Sequence, residues 1–83
     1  MRRLMILGGS EAQRGAIRAA RAAGCHVIVA DRNPQATAVT EADEFVQAST
    51  FDEAEVLAAA RATGAHGLLV VATDQPVLIA ARV

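Results

Sequence analysis

Three runs of consecutive apolar residues constrain this chain more than any other feature. Leu4–Leu7, Val27–Ala30 and Leu68–Ala72 are set apart by stretches with helical spacing. A strand that is apolar at every position has to be covered on both faces, which suits a parallel sheet between helices. Strand and helix alternating along a chain imply right-handed crossovers between parallel strands. The fold class expected is therefore α/β, a Rossmann-like open parallel sheet with helices on both faces.

The punctuation supports that expectation. Residues 3–9 read as a buried strand ending in a Gly8-Gly9 turn. Ser10 follows as a helix N-cap, with Glu11 favourably placed in the first turn. Ala12, Ala16, Ile17, Ala20 and Ala23 then recur on one helical face, and Gly24 is placed to stop the helix. Gly15 interrupts this helix, and close packing on the first strand would account for it. The second strand stops at Asp31-Arg32-Asn33-Pro34, a turn signal. A short helical turn within 36–43 precedes a weaker strand at Glu44–Ala48. Thr50 and Glu53 have capping-box spacing, opening a helix through Val56, Leu57 and Ala60 to Gly64. After the strand at Leu68–Ala72, Asp74 as cap and Pro76 in the first turn predict a last helix running to Val83.

One segment is echoed. Ala19–His26 and Ala59–His66 agree at six of eight positions, 40 residues apart. Both run from a helix end through glycine to a strand start, so two αβ units meeting one geometric problem alike explains the echo.

Composition removes several function classes. The 83 residues, 8.6 kDa, allow one small domain, 1–83, in which 20 alanines supply little core volume. Eight arginines oppose nine acidic residues without forming a basic run, and neither Trp nor Tyr is present. No line of phosphates would be neutralised by such dispersed charges, and the two Phe leave almost nothing on which bases could stack, so no nucleic acid is expected as partner. No apolar run approaches the ~20 residues of a membrane span, and no signal-peptide core is present. With a single cysteine, Cys25, there is no internal disulfide. These features make a cytoplasmic protein the default expectation.

Ligands of open parallel sheets bind beyond the carboxyl ends of the strands, where strand order reverses. Three segments fall at that edge: Gly8-Gly9-Ser10, Asp31 to Pro34, and Thr73 to Pro76. The first meets a helix N-terminus, which favours an anion, although a tight turn that binds nothing would look the same. Glycines 8, 9 and 15 miss the dinucleotide spacing, yet Asp31 stands where a ribose-binding acid would. His26, His66 and Cys25 lie at the opposite, amino edge. Asp52, Glu53 and Glu55 suit a helix first turn. No catalytic set and no metal-ligand set is expected.

Taken in order, Leu4–Ser10 with Gln13, Val27–Pro34, Ala42-Asp43-Glu44, and Gly67–Val70 followed by Asp74 resemble the amino-terminal, pre-ATP-grasp domain of ATP-grasp ligases. The resemblance spans essentially the whole chain and points to the carbamoyl-phosphate-synthetase-like and amino-acid-ligase branches. It implies the substrate-side domain of a carboxylate–amine ligase that activates a carboxylate as an acyl phosphate with ATP and Mg2+. It further implies that nucleotide and metal are held mainly by central and carboxy-terminal domains, so that this domain is not catalytic alone. By position, Gly8, Gly9 and Ser10 would approach a phosphate or carboxylate, and Gln13, Asp31, Asn33 and Asp74 would line the substrate side, facing a small carboxylate or amine. Asp31 and Asn33 can equally brace the Pro34 turn.

The family's domain usually continues through a further helix and strand, so the chain is expected to be truncated, a fragment incomplete at its C-terminal end. Ala72, Val77, Leu78 and Ala81 would then be left uncovered, offering a homodimer contact through the truncated edge. Two other functions remain open: a Rossmann-like module binding a nucleotide or NAD(P) through Gly8, Gly9 and Asp31, and a structural or interaction domain without a ligand.

Overall fold

The apolar runs become the middle of one sheet. In the computed structural model, which describes residues 2–72 and 75–80, five strands lie in the order β3-β2-β1-β4-β5. They are β1 (Arg3–Leu7), β2 (His26–Asp31), β3 (Glu44–Gln47), β4 (Gly67–Ala72) and β5 (Gln75–Ala80). Helix α1 (Arg14–Ala22) follows β1 through a 3-10 turn at Glu11–Gln13, and α2 (Glu53–Thr63) connects β3 to β4. The first four strands are parallel, with β1 between β2 and β4: Leu4 lies opposite Val27 on one side and Gly67 on the other.

Side-chain alternation along β1 to β4 feeds two cores, one on each face. Ile6, Val27 and Val29 meet Ile17 of α1 and Ala38 on one face. Met5, Ile28, Ala30 and Leu68 meet Val56, Ala59 and Ala60 of α2 on the other. This is why the runs are apolar at every position: successive residues go to opposite cores, and neither face is wet. The helices contribute mainly alanine at the contact, so they approach the sheet closely while burying few atoms.

The echoed segments end both helices by the same device. Gly24 (φ +90°) and Gly64 (φ +69°) take the left-handed conformation. The Cys25 N–H bonds the Ala20 carbonyl and the Ala65 N–H the Ala60 carbonyl, each at 3.0 Å, a Schellman closure. Immediately afterwards the His26 and His66 N–H groups bond the Arg2 and Arg3 carbonyls at 2.8 Å, placing β2 and β4 on either side of β1.

Three local expectations are corrected. The cap of α2 is Asp52, not Thr50: its carboxylate accepts from the N–H groups of Ala54 (3.0 Å) and Glu55 (3.2 Å). Gly15 is exposed, and a Cβ built on it would meet nothing within 4 Å, so close packing does not explain it. Gln75–Ala80 is not part of a helix but strand β5, antiparallel to β4 with Val70 opposite Val77. A continuous run such as Val77-Leu78-Ile79 satisfies either period, and β-branched residues favour the strand. Pro76, read as a first-turn residue, stands in an edge strand, the place in a sheet where proline is tolerated. Asp74 and Ala81 lie outside the described residues.

Candidate functional site

Strand order reverses across β1, so the crevice of an open sheet falls where β1 ends, at Gly8-Gly9-Ser10. The turn is built tightly. Gly8 has φ +102°, and a Cβ there would stand 3.0 Å from the Gln13 side chain. Gly9 is buried, and a Cβ on it would lie 2.8 Å from Val39 Cγ2 and 3.0 Å from Val29 Cγ1. Both glycines are therefore required by packing and backbone conformation before any ligand is considered. The Ala38 N–H bonds the Gly9 carbonyl at 2.7 Å and folds the segment after β2 over the turn.

Asp31, the last residue of β2, is drawn into the same turn. One carboxylate oxygen accepts the Gly9 N–H at 2.8 Å and the other accepts the Asn33 N–H at 2.8 Å. Asn33 in turn accepts the Gln35 N–H on its side-chain oxygen at 2.9 Å, an Asx turn across Pro34. On the helix side, Gln13 is buried, and its side-chain oxygen accepts the Ser10 N–H at 2.9 Å. The structure thus brings together Gly8, Gly9, Ser10, Gln13, Asp31 and Asn33 at one edge. Ser10 and Asn33 are exposed there, Asp31 is half-buried, and Asp74 lies outside the described residues.

Charge pairs hold the covering segment in place. The Glu41 carboxylate takes Arg18 at 2.6 Å and also pairs with Arg14, both from α1. The Arg18 hydrogen bond, reinforced by Arg14, holds the Glu41 carboxyl below its ordinary range despite some desolvation.

A neighbouring hollow of about 340 Å³ was not singled out by sequence reasoning. It is lined by Arg32, Gln47, Ala48, Ser49 and Glu55 at the carboxyl ends of β2 and β3. The Gln47 side chain donates to the Arg32 carbonyl at 3.0 Å, and the Glu55 carboxylate accepts the Ser49 N–H at 3.2 Å. Phe51 stands next to these residues in the chain and is 95% exposed. The available signal was positional: Arg32 and Ser49 each follow a strand on the ligand edge.

The amino edge has a different character. Arg3 donates to Glu44 at 2.8 Å and to the Thr63 carbonyl at 2.7 Å, and the His26 ring meets Glu44 at 3.0 Å. The His66 ring accepts the Arg3 N–H at 3.1 Å. Both histidines are thereby occupied in tying strands together. Cys25 packs against the α1-side core. Asp43 accepts the Val27 N–H and pairs with Arg21. Among the described residues no group of three or more His, Cys, Asp or Glu is arranged to hold a metal ion, and no helix is long and apolar enough to cross a membrane.

No family model matches the chain, and no curated protein does. Solved structures do. Glycinamide-RNase-transformylase T from Mycobacterium tuberculosis is 32% identical with a TM-score of 0.77 over 86% of this chain. Phosphoribosylglycinamide synthetase from Anaerococcus prevotii is 28% identical with a TM-score of 0.76 over 83%. N5-carboxyaminoimidazole ribonucleotide synthetase from Thermotoga maritima is 27% identical with a TM-score of 0.71 over 84%. This chain spans 22%, 18% and 19% of those chains respectively. All three are ATP-grasp ligases, matched over their amino-terminal parts. The chain has the α/β fold of the pre-ATP-grasp domain that opens such ligases.

Proposed function

We propose that this chain serves as the substrate-side lobe of an ATP-dependent carboxylate–amine ligase and performs no chemistry by itself. The observation carrying this reading is the likeness to three ATP-grasp ligases, at 27–32% identity, over nearly the whole chain but under a quarter of theirs. The site supports it. The edge where Gly8, Gly9, Ser10, Gln13, Asp31 and Asn33 converge is where an open sheet presents residues to a ligand.

ATP and Mg2+ fit poorly on the described residues. Among the described residues no acidic cluster is arranged for a metal ion, and the N–H groups of Gly8, Gly9 and Ser10 are bonded to the Ala30 carbonyl, Asp31 and Gln13 respectively. Nucleotide and metal are therefore assigned to other domains of the ligase, with which this lobe forms one wall of a shared cleft. Its own role is to hold a small carboxylate or amine at the strand ends and to shield the acyl phosphate from water.

The coding region beyond Val83 tests the assignment. It is expected to continue into central and carboxy-terminal ATP-grasp domains, and the 83-residue chain is expected to release no phosphate from ATP with Mg2+ and any carboxylate–amine pair. A stop codon directly after Val83, or turnover by the short chain, would defeat it.

A further inference from the structure

The turn that resembles an anion site already contains an anion. One oxygen of a carboxylate accepts the Gly9 N–H at 2.8 Å, where a bound carboxylate or phosphate oxygen would sit at a glycine turn before a helix, and the other oxygen is held by the Asn33 N–H at 2.8 Å. Here that carboxylate belongs to Asp31. The next N–H, that of Ser10, is bonded at 2.9 Å to Gln13, whose side chain is buried beneath the turn. The inner face of Gly9 is packed against Val29 and Val39, which leaves no room for a group to enter from behind.

We propose that Asp31 is a specificity-determining residue: it occupies the anion slot of the Gly8–Ser10 turn and so closes it to phosphate and carboxylate groups. The group held at this turn is then neutral or cationic, as on an amine co-substrate, and the acyl-phosphate end lies elsewhere in the cleft. The inference rests on the ligase reading for the word substrate, but not for the exclusion itself. An incoming anion has to displace Asp31 from the Gly9 N–H and then sit beside the displaced charge, and like charges at that range repel. Neither Arg14 nor Arg18 offsets this, since both are engaged with Glu41.

The test is an amide NMR titration of the 83-residue chain with inorganic phosphate, following Gly9, Ser10 and Asn33. In the parent chain these resonances are expected to stay unmoved to tens of millimolar. In Asp31→Ala the Gly9 and Asn33 resonances are expected to shift saturably, with at least tenfold tighter phosphate binding. Asp31→Asn, which keeps the shape and loses the charge, is expected to shift in the same sense but less, and serves if the alanine variant does not fold. Saturable shifts in the parent chain overturn the proposal, and so does a folded variant that ignores phosphate. A purely structural Asp31 would alter stability without creating phosphate binding. These readouts need no ligase activity, so their failure and failure of the ligase assignment are separately visible.

Discussion

Gly15→Ala should stabilise this protein. Gly15 is the second residue of α1 and continues a helical stretch that begins with the 3-10 turn at Glu11. Glycine in a helix interior costs about 0.8–1.0 kcal/mol against alanine, chiefly because the unfolded chain loses more freedom there. That gain survives only where the added methyl meets no obstacle. A Cβ at Gly15 has nothing within 4 Å, so neither clash nor new burial enters, and the net effect should be about 0.5–1 kcal/mol. For a domain of this size, that corresponds to a rise of about 2–8 °C in Tm. Urea denaturation followed by far-UV circular dichroism should show a higher midpoint at unchanged slope. The same substitution at Gly64, where φ is +69°, should act oppositely, lowering stability by about 1 kcal/mol. A Gly15→Ala midpoint at or below the parent's would refute the reasoning, since backbone entropy would then not be the governing term.

Two further outcomes follow from the caps and the amino edge. Asp52→Ala should cost about 0.5–2 kcal/mol in urea denaturation, whereas Thr50→Ala should cost little, because the Ala54 and Glu55 N–H groups are held by Asp52. The Glu44 carboxyl is held below its ordinary range by the His26 hydrogen bond first and Arg3 next. Its folded-state affinity for protons is thus lower than in the unfolded chain. The stabilisation is present above the ordinary carboxyl range, near 4.5, and is lost as pH falls below it. Thermal denaturation between pH 6 and pH 3 should therefore decline less steeply for Glu44→Gln than for the parent chain, and parallel curves would contradict the pairing.

The residues differ in how far their sequence reveals their role. The runs around Met5, Ile28 and Leu68 are legible because burial on both faces leaves no polar position, and local sequence alone carries that signal. The convergence of Gly8 and Asp31 is legible too, since both stand where a strand ends. What Asp31 does there is not. Its carboxylate spans 22 residues to reach Gly9, a contact created by the pairing of β1 and β2. The choice of Asp52 over Thr50 is tertiary in the same way. Either residue can cap, but Ser49 is buried and its N–H is taken by Glu55, which fixes where the helix opens. For Gln75–Ala80 an unbroken apolar run satisfies strand and helix alike, and pairing with β4 decides.

The central position of β1 also governs the order in which the sheet can be assembled during synthesis. One flank of β1 is satisfied by β2, which ends 24 residues after Leu7, but the other waits for β4, whose first residue is 60 behind it. At ~5–20 residues per second, that open flank persists for several seconds on the ribosome. Arg3 records the wait: its bonds to Thr63 and His66 cannot form until nearly all of the described chain has emerged. An early β1–β2 pair therefore offers an unpaired strand edge to whatever is nearby. Variants that weaken α2 or β4 should betray themselves first as poor soluble yield during expression, before any change is measurable in the purified fold.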